Sequence, residues 1–174
     1  MTGRAERPLF FLDVDGTLLP LGGALIPSSS QGWEDWQSTS NPQLVKIDVG
    51  HVPRLLALPC ELMWATAWME DANEVLSPLL GLPRLPVADL PEASQEYESG
   101  VLNWKTRALV RAAAGRPFVW VDDEITDLDH AWVSAHHRGP ALLHRVDSMT
   151  GLTGADFAAV DDWLLERSGR LRRE

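Results

Sequence analysis

Two pairs of carboxylates stand at the ends of apolar runs. Asp13 and Asp15 close the run that begins Pro8-Leu-Phe-Phe-Leu12, and Gly16 follows them. Asp122 and Asp123 follow Phe118-Val-Trp-Val121. In extended chain, residues at i and i+2 share a face, about 7 Å apart on a rise of about 3.3 Å per residue. Two carboxylates so spaced can divide labour: one attacks or holds a metal, and the other gives a proton to a leaving group. The same spacing also suits strand-end acids that cap a helix, and Asp-Gly is a common turn pair. Several acids gathered at one end of a sheet repel one another unless a cation sits among them. Ligation by oxygen alone suits Mg²⁺, which takes one or two carboxylates plus substrate phosphate. Asp123 or Asp127 is equally suited to capping the helix that follows.

Thr66 closes a third apolar run, Leu62-Met-Trp-Ala65. Its hydroxyl and the turn amides beyond it could hold a phosphoryl oxygen, or it could cap a helix. Lys105 lies at the start of a helical stretch, where a positive charge opposes the helix dipole. That local conflict suits a lysine with phosphate and carboxylates to neutralise, although a surface lysine would read the same way.

These residues need elements that bring them together. Pro8–Val14, Cys60–Thr66 and Phe118–Val121 read as buried strands of a parallel sheet, with weaker strands at Leu44–Val49, Leu85–Ala88 and Ala141–Val146. Helical stretches run from near Pro53, over Glu70–Leu80 closed by Gly81, over Asn103–Ala114 stopped by Gly115, and over Asp127–Ala135. Thr153 with Asp156 predicts a capped start for a last helix ending near Arg167. Residues 1–7 read as a polar tail, and residues 20–42, rich in Gly, Ser and Pro, as a long flap-like loop. Residues 82–100 read as Pro-rich and irregular. Strands alternating with helices argue an α/β fold, a Rossmann-like parallel sheet with helices on both faces. In such sheets ligands bind at the carboxyl ends of the strands, where these polar residues should converge.

The 174 residues suit a single domain. With 45% hydrophobic and 23% charged residues, disorder along the whole chain is excluded. No apolar run approaches the roughly 20 residues of a membrane span. The lone cysteine, Cys60, excludes an internal disulfide and a zinc site built on paired cysteines, and points to the cytoplasm. A net charge of −10 disfavours non-specific binding to nucleic acid or to anionic membranes.

The segment Phe11-Leu-Asp-Val-Asp-Gly-Thr-Leu18 resembles the first motif of the haloacid dehalogenase superfamily. Thr66 after its apolar strand resembles the second, Lys105 the third, and Val119-Trp-Val-Asp-Asp123 the fourth. The resemblance runs from about residue 8 to residue 165. The acid at Asp15 makes the chain similar to the phosphatases and phosphotransferases rather than to the dehalogenases. The resemblance implies that Asp13 attacks phosphorus to form an aspartyl-phosphate, that Asp15 protonates the leaving oxygen and then activates water, and that Thr66 and Lys105 orient the phosphoryl group. It implies Mg²⁺ held by Asp13, the main-chain carbonyl of Asp15, and Asp122 or Asp123. The intervals between motifs leave no room for a full cap domain, and capless relatives more often act on large substrates. Leu62-Met-Trp-Ala-Thr-Ala-Trp68 and Gly151-Leu-Thr153 are similar to bacterial domains assigned to RNA repair.

Trp33 and Trp36 in the 20–42 loop could stack a base over the site or pin the loop to the body. Trp68, just past Thr66, could line the pocket. The expected substrate is thus a phosphate monoester, with a nucleotide or nucleic-acid end as the specific candidate and a small metabolite as the alternative. A phospho-acceptor module of the receiver type also combines acids, Thr and Lys, but in a different order along the chain. A silent binding domain on the same fold is the other competing reading.

Overall fold

The structure, a computed structural model, describes residues 6–92 and 101–171, with side chains described as far as residue 167. The first five residues of the expected tail and the end of the 82–100 stretch lie outside the described residues. Four strands form one parallel sheet: β1 (Leu9–Leu12), β2 (Glu61–Trp64), β3 (Phe118–Asp122) and β4 (Ala141–Arg145), in the order β2-β1-β3-β4. Leu12 sits opposite Trp64 on one side and Val121 on the other. After β1 the chain goes to one side for β2 and returns to the other side for β3, so the strand order reverses around β1. Such a reversal opens a crevice at the carboxyl end of the sheet.

The strands read as unbroken apolar runs because both faces are buried. Phe10, Leu12, Val119 and Val121 join one core with Val52 and Leu55 of α2 (His51–Ala57) and Phe157, Val160 and Leu164 of α6 (Gly154–Leu171). Leu9, Phe11, Phe118 and Trp120 point the other way. They pack with Ala108, Leu109 and Ala113 of α4 (Thr106–Ala113) and Val133 of α5 (Asp127–His136). The α/β fold with helices on both faces is therefore as expected, as are four of the six strands.

Four local expectations are corrected. Residues 20–42 are not all loop: they carry α1 (Ser30–Trp36), whose start is capped by the Ser29 hydroxyl accepting from the Gly32 amide at 3.0 Å. Residues 44–49 form no strand. Pro42–Lys46 is a 3-10 turn, entered through Asn41, whose side chain accepts from the Gln43 amide at 2.8 Å. Pro42 presets the helical φ, and the buried pair Leu44 and Ile47 follows the three-residue repeat of that turn rather than a strand's alternation. The helix expected over 70–80 is a π-helical segment, Ala72–Leu76, running into the short α3 (Ser77–Leu80). Pro78 has no N–H to give and its ring crowds the carbonyl four residues back, and a widened turn relieves both. The strand expected at 85–88 is reduced to a single parallel bridge between Trp64 and Val87. Among the described residues, no helix is long and apolar enough to cross a membrane.

Candidate active site

β1 ends at Leu12, so Asp13 and Asp15 do not continue an extended strand as the spacing suggests. The chain instead folds into a tight loop. The Val14 carbonyl accepts from the amides of Thr17 at 3.1 Å and Leu19 at 2.8 Å. Gly16 adopts φ +76° there, and a Cβ at that position would collide with the Asp123 carboxylate. Gly151, at φ +66°, lets a second loop close against this one: a Cβ there would lie 2.6 Å from the Thr17 carbonyl, which accepts from the Leu152 amide at 2.8 Å.

Asp13 is buried beneath this loop. Its Oδ1 accepts from Lys105 Nζ at 2.7 Å and its Oδ2 from the Thr17 hydroxyl at 3.1 Å. Lys105 Nζ also donates to Asp122 Oδ2 at 2.7 Å, so one buried ammonium bridges two carboxylates that approach from different strands. Asp122 takes two further donors, the Trp120 indole N–H at 3.3 Å and the Glu124 amide at 3.0 Å. Oxygens of Asp13, Asp122 and Asp123 lie within 4.8 Å of one another.

The placement of Lys105 depends on Asp129, a fully buried carboxylate at the start of α5. Asp129 accepts from the Thr106 hydroxyl at 2.7 Å, the Asn103 amide at 2.8 Å, and the amide and hydroxyl of Thr126 at 2.9 and 3.0 Å. Asn103 in turn accepts from the Lys105 amide at 2.9 Å. The first turns of α4 and α5 are thereby tied together beneath the acid cluster. Thr126 and Asp129, not Asp123 or Asp127, form the cap of α5.

Burial pushes the Asp13 carboxyl up to about 7, and the Asp122 charge adds to the rise against the opposing pull of Lys105. Asp123 is pushed up to about 10 by burial and by the charges of Asp13, Asp122 and Glu124. Lys105 shows the opposite balance. Burial alone would lower it, but the Asp122 and Asp13 carboxylates hold it above the ordinary lysine value. Fully ionised, the cluster would carry more negative charge than one lysine neutralises, so it retains protons.

Asp15 lies outside this cluster and is held differently. Its Oδ1 accepts the Trp36 indole N–H at 2.6 Å and its Oδ2 the Trp68 indole N–H at 3.1 Å. Burial raises its pKa, and the two indole hydrogen bonds oppose that rise. Trp36 and Trp68 are only 8% and 1% exposed, so their rings are packed into the body rather than held open. Trp33 packs half-buried against the same core. Thr66 is fully buried, and its hydroxyl accepts from the Trp68 amide at 3.2 Å.

The structure therefore brings Asp13, Lys105, Asp122 and Asp123 into one cluster. It sets Asp15 beside them with Trp36 and Trp68, and leaves the buried Thr66 hydroxyl hydrogen-bonded to the Trp68 amide. Thr17 and Asp129 also contribute, beyond the residues expected from the sequence. Thr17 was legible, since it stands within the first motif. Asp129 carried only the weaker signal of an acid three residues after a cap threonine.

No family model and no curated protein matches this chain. Among solved structures, it is similar to the haloacid dehalogenase (HAD) domain of the effector protein Lem4 from Legionella pneumophila in its inactive mutant form. That match has a TM-score of 0.52 and 10% identity, and covers 94% of this chain and 98% of that one. A second structure of the same Lem4 domain gives 0.49 at 12% identity, covering 92% and 94%. With the parallel order β2-β1-β3-β4 and the acids at its carboxyl edge, the chain has a haloacid dehalogenase-like fold.

Proposed function

We propose that this chain is a Mg²⁺-dependent phosphatase that hydrolyses a phosphate monoester by way of a phosphoryl group carried on Asp13. The observation that carries this reading is the convergence of Asp13, Lys105, Asp122 and Asp123 at the carboxyl edge, from three separate stretches of chain.

Asp13 is the nucleophile in this reading. Thr17 and Lys105 each engage one of its oxygens, which fixes the carboxylate plane, and each oxygen keeps a lone pair for attack. As the new P–O bond forms, the ester P–O bond breaks and its electron pair stays on the leaving oxygen. That oxygen takes a proton from Asp15. In the second half, Asp15 accepts a proton from water as the water oxygen bonds to phosphorus, and the Asp13 carboxylate is released. Lys105 stands beside the reacting carboxylate and offsets charge gathering on the phosphoryl oxygens.

The donor set fits Mg²⁺: three carboxylates, all oxygen, with more negative charge when ionised than Lys105 balances. Asp122 is the most committed of the three, to Lys105, Trp120 and the Glu124 amide. Asp13 and Asp123 are therefore the carboxylates that would hold the ion, with the Asp15 carbonyl as the further ligand that the resemblance implies. The bound ion would supply positive charge against the phosphoryl oxygens. Phosphate release from p-nitrophenyl phosphate tests the reading. Turnover with Mg²⁺, its loss on chelation and its recovery on adding Mg²⁺ back are expected. An inert protein, or turnover indifferent to chelation, would overturn it.

A further inference from the structure

We propose that Trp36 and Trp68 are positioning residues, whose indole N–H groups hold the carboxyl of Asp15 in the orientation from which it protonates the leaving group. This rests on the phosphatase reading above and assigns part of the site to two residues whose own chemistry is inert.

Each oxygen of Asp15 receives one indole donor, at 2.6 Å from Trp36 and 3.1 Å from Trp68. Those tryptophans lie 21 and 53 residues further along the chain, so no local turn accounts for the pair of contacts. An indole N–H donates and cannot accept. It can therefore orient a carboxyl without competing for the proton that the carboxyl must deliver, which a histidine or a water could do. A carboxyl oxygen offers two lone-pair directions. With one filled by the indole, the other is left for the transferable proton, and rotation about the last side-chain bond is blocked at both oxygens.

The supports are themselves fixed. Trp68 is 1% exposed and its amide donates to the Thr66 hydroxyl at 3.2 Å. Trp36 closes α1, and its carbonyl accepts from the Asn41 side chain at 2.8 Å. Thr66 thus fixes the main chain of Trp68, and Asn41 and the short helix α1 that of Trp36, the two residues whose indoles hold Asp15. Positioning of this kind contributes because a proton donor must lie within hydrogen-bond reach of the leaving oxygen when the P–O bond breaks.

The test compares esters of different leaving groups. Nitrophenolate departs with little need of a proton, whereas the phenolate of phenyl phosphate needs one. In Trp36→Phe and Trp68→Phe, kcat/KM for phenyl phosphate should fall at least about tenfold further than for p-nitrophenyl phosphate, a part of the 10²–10⁴-fold that general acid catalysis supplies. The same change made in Asp15→Asn protein should leave the ratio of the two esters where Asp15→Asn alone puts it, because both act through one group. Replacing Trp36 by benzothienylalanine keeps the bicyclic ring and removes only the N–H. It should reproduce the Trp36→Phe ratio at an unchanged melting temperature, which covers the case of a Phe variant that folds poorly. Equal losses on both esters, or a change in the ratio that persists in Asp15→Asn protein, would overturn the proposal and leave the indoles as packing. If the unaltered protein hydrolyses neither ester, the phosphatase reading itself fails, a different outcome from either.

Discussion

The carboxyl edge of the sheet and the segment that covers it, residues 20–46, reach the same site by different physics. At the edge, charge does the holding: Lys105 bridges Asp13 and Asp122 at 2.7 Å each, inside a wall of apolar strands. In the covering segment the elements are short and mostly polar, and they meet the site through one neutral donor, the Trp36 indole. The charged edge carries large energies of opposite sign that nearly cancel, so removing one member should have a large effect. The covering segment carries small energies, so single changes there should be graded.

The largest effect expected is at Asp13. Asp13→Asn keeps the shape and removes the attacking charge, and should lower turnover by roughly 10⁴-fold or more, as removal of a catalytic nucleophile does. Steady-state kinetics on protein shown by mass to be undeamidated checks this. Next comes Lys105. Lys105→Met leaves two buried carboxylates without their ammonium, a kind of change that costs about 3–5 kcal/mol. Denaturant titration of the metal-free protein should show it. A loss under about 1 kcal/mol would mean that the cluster is far more hydrated than its burial indicates.

Gly16→Ala tests the junction between the two regions. A side chain at φ +76° costs about 1–2 kcal/mol, and its Cβ would drive the Asp123 carboxylate aside. Affinity for Mg²⁺, measured by calorimetry, should fall with stability. Unchanged affinity would remove Asp123 from the metal set.

The edge and the cover should also differ in pH dependence. Asp13 is raised from its ordinary 3.8 to about 7 and Asp123 to about 10. The folded protein therefore holds protons that the unfolded chain releases above its ordinary carboxylate range. Stability of the metal-free protein should fall as pH rises from about 4 to about 10. Lys105, raised above the ordinary lysine value, adds no slope in that window. Mg²⁺ binds the deprotonated carboxylates, so it should raise the melting temperature more at pH 8 than at pH 5. A metal-free protein whose melting temperature rises over this range would contradict the cluster as described.

The smallest effect is reserved for the cover. Ser29→Ala removes the capping hydroxyl of α1, at a cost of about 1 kcal/mol. Hydrogen exchange should quicken across α1 and leave β1 and β3 unaffected.

The same contrast explains what could be read from sequence. Asp13, Asp15, Asp122 and Asp123 were legible because buried parallel strands write themselves as unbroken apolar runs, and the residues that end them lie at the binding edge. Lys105 was legible through its conflict with the helix dipole, which its two carboxylates resolve. The cover was not. Trp33 and Trp36, at i and i+3, were the only helical signal in a Ser- and Gly-rich stretch. Leu44 and Ile47, also three apart, lie in a stretch whose apolar residues read equally as a strand, and they bury one side of a 3-10 turn. The partner of Trp36 lies 21 residues back across the fold, a contact that no local pattern encodes.

The most direct test of the central claim is to quench the reaction with acid during turnover of p-nitrophenyl phosphate in Mg²⁺ and locate the phosphoryl group by peptide mass. The expected result is a phosphorylated peptide whose modified residue is Asp13, absent after chelation and absent from Asp13→Asn. Phosphate released at the normal rate by Asp13→Asn, or a phosphoryl group found on another residue, would contradict it.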